Sequence, residues 1–432
     1  MAQVTPFRGV RYSPRIAAQD VVSPPYDVLS ASQAAGLASR SPYNAVHVDL
    51  PVPPGATATD AAYEAAAASF RRWMDEGVLV RDDRESVYVL ETAYRGPDGR
   101  DRRRLGVVAR LRLADFGERI VLPHEHTHKG PKLDRLRLYR ATHADLSPIF
   151  LLYPDDDGAV TAGMRAAADA IEPAAWTQAP DPDGNLHRLA PLYGDAASRA
   201  AAGLSRQTLY IADGHHRYET ALAYRDERRA AGDHSADTLM AYLCAMNDPG
   251  LTVFPTHRLI RYSEAPAMAE ALERLAPVFA VVGRAEGARC ADLLRQLPAA
   301  ERPATTFGLY FPQEDACCTV ELRDQTALDR LEARGFSPRA ARLSVTILHQ
   351  LVLARGIGLD PASSEANVDY AKGTDEALAR LHDGGYTLGA FLNATRVDDV
   401  RAIADGGEAM PQKSTYFYPK LLTGLIFDRL DD

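Results

Sequence analysis

The stretch LYIADGHHRYETALAY, residues 209–224, constrains this chain more than any other. Its apolar run ends at Ile211-Ala212, Asp213 and Gly214 supply a tight turn, and from His215 the spacing of apolar residues becomes helical. A strand that stops in Asp-Gly and reopens at once as a helix brings several backbone N–H groups, and the positive end of a helix dipole, to one point. Such a point suits an anion, phosphate above all. Gly214, His215, His216 and Arg217 can cradle phosphate oxygens there, Arg217 through a two-pronged grip. Asp213 fits beside phosphate when Mg²⁺ bridges the two. In the plainer alternative Asp213 caps the helix and the histidines pack locally. A cap needs one such residue, however, and not a run of them.

The rest of the composition is that of an ordinary globular protein, 46% apolar and 25% charged, and 432 residues leave room for two or three domains. A net charge of −9 argues against a general nucleic-acid binder. No apolar run approaches the ~18–20 residues of a membrane helix. The opening MAQVTPFRGVRYSPR lacks the apolar core of a signal peptide, and the four cysteines lack metal-type spacing. A cytoplasmic location without a membrane partner is the expectation. One basic cluster, GRDRRRLGVVARLR at 99–112, lies across a GPDG turn from SVYVLETAY and reads as the solvated outer face of a β-hairpin. Only five of the 49 basic residues are lysines, and they fall in three short segments: Lys129 and Lys132, Lys372, and Lys413 and Lys420. Where arginine is the default cation, a retained lysine marks a place suited to a compact ammonium charge.

Along the chain, the paired prolines of VVSPPYDVLS fix an extended turn ahead of Tyr26 and Asp27, which are candidates for a pocket lining, as are Asn44 and Asp145. An Ala-rich helix over 58–77 closes at Gly77, and a hairpin follows at 86–113. The HEHTH run puts His124, His126 and His128 at alternate positions, as Zn²⁺ ligands would stand on one face of an extended chain. The same loop holds Glu125, Lys129, Gly130, Pro131 and Lys132, a mixture better suited to a substrate or phosphate loop. His257 and Arg258, after FPT, are further candidates for contact with substrate or phosphate. Alternating helices, strands and hairpins point to mixed α/β or α+β architecture, with expected divisions at 1–115, 116–264 and 265–432.

The segments VVSPPYDV, SPYN, HEHTHKGPKLDRLRLYRATHADLSPIFLLY, IADGHHRYETA, DPGLTVFPTHR and MPQKSTYFYPKLLTGL together resemble the bacterial and archaeal family called domain of unknown function 1015 (DUF1015). Three patches, in order, also resemble the archaeal free serine kinase, a relative of ParB and sulfiredoxin that phosphorylates L-serine from ADP. They are Pro123-His124-Glu125, Asp213 to Arg217, and AFLNATRVDDVRAIADGGEAMPQKST at 390–415. The resemblance implies a ParB/sulfiredoxin-like catalytic core with an N-terminal extension and a C-terminal α/β region. It implies a small-molecule kinase that uses Mg²⁺ with ADP or ATP. Glu125 in its His124-containing motif would be the base that accepts the acceptor's hydroxyl proton. Asp213 would hold the metal, while Gly214 to Arg217 bind the nucleotide phosphates. Lys413, Ser414 and Thr415 would close over the phosphates or the substrate carboxylate, as Lys129 and Lys132 could from the Glu125 loop. A long N-terminal extension and a wider gap between the first two patches set this chain apart, which bears on the choice of substrate. Two other readings stand beside the kinase. One is a nucleotide-binding switch of the ParB kind. The other is a metal-dependent hydrolase built on His124, His126, His215 and His216.

Overall fold

Apolar residues at alternate positions, Leu105, Val107, Ala109 and Leu111, give one long strand a face that must be buried. In the computed structural model, which describes residues 1–127, 129–297, 305–360, 364–411 and 413–430, that strand runs Asp101–Arg112 near the middle of a nine-stranded sheet. The order across the sheet is Val121–Leu122, Leu209–Asp213, Ile149–Tyr153, Thr238–Ala245, Asp101–Arg112, Val87–Arg95, Leu186–Leu192, Thr177–Pro180, with Val4–Thr5 also pairing to Asp101–Arg112. Leu209–Asp213 runs parallel to Val121–Leu122 and antiparallel to Ile149–Tyr153. Ile149–Tyr153 is parallel to Thr238–Ala245. The fold is thus mixed α/β, as expected from the alternation of elements.

The chain divides into two compact units: Met1–Pro123 with Thr127–Thr252 and Pro419–Asp432, and His124–His126 with Val253–Tyr418. Strands from the expected segments 1–115 and 116–264 share the nine-stranded sheet, because Thr238–Ala245 pairs along Asp101–Arg112. The chain beyond Pro419 also belongs to the first unit. Ser23 and Thr423 exchange backbone hydrogen bonds at 3.0 and 2.9 Å, and Arg110 meets the Asp428 carboxylate through Nε and Nη2 at 2.7 and 2.8 Å. The helix Asp60–Asp75 ends ahead of Gly77, whose φ is +66°, and the hairpin turns at Gly99, whose φ is +74°, both as the sequence predicts.

The basic cluster is not uniformly a solvated face. Arg103 is exposed, but Arg104 is fully buried, its guanidinium 4.8 Å from the Phe150 ring centre and 5.5 Å from that of Tyr242. Alternation tells which residues share a face of a strand, and both faces of this sheet are covered.

The second unit is built on an antiparallel sheet in the order Phe279–Glu286, Ala316–Leu322, Thr306–Phe311, Leu388–Leu392, Thr256–Ile260, Val368–Lys372. Thr256–Ile260, expected in the middle segment, lies here between two later strands. A π-helical segment, Leu348–Ile357, packs on this sheet through Leu348, Val352, Leu353 and Ile357. His124–His126 joins the same unit, with the Met410 N–H donating to the His124 carbonyl at 2.7 Å.

Candidate functional site

In the first unit, the register shifts between Ile211 and Asp213, a bulge at the mouth of the turn, as strands often have beside functional sites. Gly214 then takes φ +94° and starts the helix His215–Ala230. A Cβ at Gly214 would stand 3.0 Å from Ile149 Cγ2 and 3.1 Å from the Arg217 guanidinium, so both conformation and space require glycine. Gly214→Ala is expected to cost about 1–2 kcal/mol, read as a lowered urea midpoint at unchanged slope; an unchanged midpoint would mean that the turn can relax.

The Asp213 side chain does not cap this helix. Its Oδ1 accepts from Lys420 Nζ at 2.8 Å and its Oδ2 from Arg217 Nη2 at 3.3 Å. Burial alone would push the carboxyl up, but Lys420 and Arg217 outweigh it and hold it at about 2, so Asp213 is ionised at any physiological pH. Arg217 is only 8% exposed, and its Nη1 donates to the Pro148 carbonyl at 2.7 Å and Ser147 Oγ at 3.1 Å. This guanidinium therefore ties the corner to the neighbouring strand as well as facing Asp213. His215 is buried and His216 half-buried. One turn on, Glu219 accepts from Lys132 Nζ at 2.6 Å and from Thr127 Oγ1 at 2.7 Å. His128 and the Lys129 side chain lie outside the described residues.

The PPYD turn belongs to the same unit. The Tyr26 ring lies under the Arg135 guanidinium at 3.9 Å, and Asp27, Tyr26 and Asp49 all act electrostatically on Arg217. Asp49 accepts from Arg135 Nη1 at 3.2 Å and from Thr423 Oγ1 at 3.2 Å. Asn44 is spent on structure. Its amide donates to the Asp20 and Val22 carbonyls and its Oδ1 accepts from the Val46 N–H, which pins the loop ahead of the prolines. Asp145 is also structural, accepting from Tyr139 Oη and from the Met240 N–H.

Burial, then the neighbouring Asp428 charge, raises the Asp145 carboxyl to about 7. The unfolded carboxyl ionises near ~4, so between those values the folded state binds the extra proton and stability falls as pH rises. Asp145→Asn is expected to flatten the decline in melting temperature across that window. An unaltered slope would assign it to another group.

In the second unit, the His124 imidazole Nε2 sits 3.1 Å from Thr415 Oγ1, and the Lys413 N–H donates to Glu125 Oε1 at 3.0 Å. Lys413 holds φ +55°, a left-handed conformation in which a residue other than glycine is uncommon. The Ser414 carbonyl accepts from Thr395 Oγ1 at 2.6 Å, and Ser414 Oγ donates to the Pro411 carbonyl. His124, Glu125 and Lys413 to Thr415 thus lie in one cluster. Arg258 Nη2 reaches the Lys413 carbonyl at 3.4 Å and joins it. His257 points to the other side of its strand, where Nδ1 accepts from the Leu392 N–H at 3.3 Å and Nε2 meets Thr374 Oγ1 at 3.3 Å. That imidazole belongs to the sheet.

Among the described residues no three His, Cys, Asp or Glu side chains are grouped to hold a metal ion, so the histidine-based metal site has no described cage. All four cysteines are buried free thiols. Among the described residues no helix is long and apolar enough to cross a membrane. Sequence reasoning missed Lys420, Asp49, Arg135 and His349 as neighbours of these clusters. For Lys420 a signal existed, its place among the few retained lysines.

No curated protein matches the sequence. Among solved structures, a mutant of free serine kinase in complex with ADP matches with 12% identity and a TM-score of 0.33, covering 69% of this chain and 84% of its own. A conserved hypothetical protein from Pyrococcus furiosus matches with 12% identity and a TM-score of 0.32, covering 72% and 93%. SbnI with a C-terminal truncation, from Staphylococcus aureus, matches with 11% identity and a TM-score of 0.32, covering 70% and 82%. The model of the protein family of unknown function DUF1015 matches residues 4–345, most of the chain, and the protein belongs to that family.

Proposed function

We propose that this protein is a small-molecule kinase that transfers a phosphoryl group from ADP or ATP to the hydroxyl of free L-serine or a similar metabolite. The observation that carries the reading is the corner at 213–217. An ionised carboxylate, a lysine ammonium and a guanidinium meet where Gly214 opens a sixteen-residue helix. A helix start with two adjacent cations is suited to phosphate oxygens. The resemblance of three sequence patches to free serine kinase is what makes the reading a kinase rather than phosphate binding alone. Phosphoryl transfer asks chiefly for positioning and charge cancellation. Lys420, on a flexible stem, can turn its ammonium from Asp213 to a phosphate oxygen. Asp213 is the residue that would then hold Mg²⁺, a cation content with one carboxylate when phosphate oxygens and water complete its shell. Bound there, the ion would neutralise phosphate charge. Glu125 is the base for the acceptor hydroxyl, its carboxylate held in place by the Lys413 N–H.

The test is a phosphorus-31 NMR time course of the purified protein with Mg²⁺ and L-serine, run separately with ADP and with ATP. A growing phosphoserine signal with one nucleotide supports the kinase and identifies its donor. Its absence with both, from folded protein, would sink the reading.

A further inference from the structure

Arg258 lies at the centre of the strand Thr256–Ile260 and is fully buried. Three other buried guanidinium groups face a carboxylate, Arg135 with Asp49, Arg217 with Asp213 and Arg225 with Asp115, while the buried Arg104 lies against the Phe150 and Tyr242 rings. Among the described residues Arg258 has no carboxylate partner. Its acceptors are the Thr256 carbonyl, His349 Nε2 at 3.3 Å and the Lys413 carbonyl at 3.4 Å, with the Tyr370 ring 5.3 Å away. All are uncharged at neutral pH, because burial and then the Arg258 charge pull the His349 imidazole down to about 3. A buried cation matched only by neutral acceptors is costly, and burial lowers Arg258 itself to about 10.

Two further features mark the place. Thr256 Oγ1, two residues earlier on the same face of the strand, is buried with no hydrogen-bond partner among the described residues. His349 stands at the start of the π-helical segment Leu348–Ile357, and such segments are rare and gather at functional sites.

The geometry points to Arg258, with His349 beside it, as the seat of a small carboxylate, which takes the place of the Lys413 carbonyl. That 3.4 Å contact is the longest of the three, and the residue giving it is the one held at φ +55°. Lys413 also sets the scale. Its N–H meets Glu125 and its carbonyl meets Arg258, and one residue spans roughly 3 Å from N to O, so the Glu125 carboxylate and the Arg258 guanidinium stand no more than about 10 Å apart. A hydroxy acid with its hydroxyl one or two carbons from the carboxylate, hydrogen-bonded at ~2.8 Å on each end, fits that span. The inference rests on the kinase reading only in taking this carboxylate to belong to the phosphoryl acceptor.

The test is calorimetric titration of the full-length protein with L-serine, D-glycerate, inorganic phosphate and serinol, which keeps the amine and hydroxyls of serine but lacks its carboxylate. L-Serine and D-glycerate are expected to bind, and serinol and phosphate not. Arg258→Met is expected to weaken both carboxylates by about 30-fold or more, and Arg258→Lys by less. Because Arg258→Met removes a buried charge that has no carboxylate partner among the described residues, it should keep its melting temperature. The comparison of serinol with L-serine in the unaltered protein decides the matter even if that variant misfolds. Equal binding of serinol, binding of phosphate alone, no binding of any probe, or full carboxylate affinity in a folded Arg258→Met protein would each overturn the inference. Carboxylate binding without phosphoserine formation would leave this site standing and remove the kinase reading.

Discussion

Glu125→Gln is expected to slow phosphoryl transfer by roughly 10²–10⁴-fold, the usual worth of a general base, while ADP affinity moves by less than about threefold. Glutamine keeps the acceptor oxygen that takes the Lys413 N–H at 3.0 Å, so Lys413 retains its anchor and only the basicity goes. The same phosphorus-31 signal gives the rate, and calorimetry the affinity. A variant retaining a tenth of the normal rate would show that another group takes the hydroxyl proton. Equal losses in rate and nucleotide affinity would make Glu125 a structural anchor instead.

Arg110→Met should give the largest loss of stability, about 3–5 kcal/mol, the usual result of stripping one partner from a buried ion pair. Asp428 is fully buried, and Arg110 grips both of its oxygens while also donating to the Arg429 carbonyl at 2.7 Å. Asp428 pairs in register with Asp145, so removing Arg110 takes the guanidinium away from a place where two buried carboxyl groups oppose each other. Urea unfolding reads the loss. Restoring most of it by adding Asp428→Leu would locate the damage in the orphaned charge. A loss under about 1 kcal/mol would mean that the segment carrying Asp428 and Lys420 is held by other contacts.

What could be read from the sequence was local in origin. The strand, turn and helix at 209–230 rest on contiguous residues, so the spacing of Ile211, Gly214 and the helical apolar positions was enough to foresee them. Lys420 reaches Asp213 from 207 positions away, and only the scarcity of lysine marked it. His349 sits in ILHQLVL, where a histidine in an apolar run reads as core, and its importance comes from facing Arg258 on a distant strand. Arg104 was misread for a similar reason. Alternation assigns it to a face, but whether that face meets water depends on what packs there, and Phe150 and Tyr242 do. His257 and Arg258 looked equivalent in the sequence. Adjacent residues on a strand point to opposite faces, which separates them into a sheet-bound imidazole and a buried cation beside the Lys413 loop.

The most direct measurement is calorimetric titration of Mg²⁺ with ADP, and separately with ATP, into the full-length protein and its Lys420→Met variant at two salt concentrations. A phosphate site at residues 213–217 predicts saturable binding that weakens with salt and falls at least about tenfold when the Lys420 ammonium is removed. No saturable binding of either nucleotide, or equal affinity in the folded variant, would contradict it.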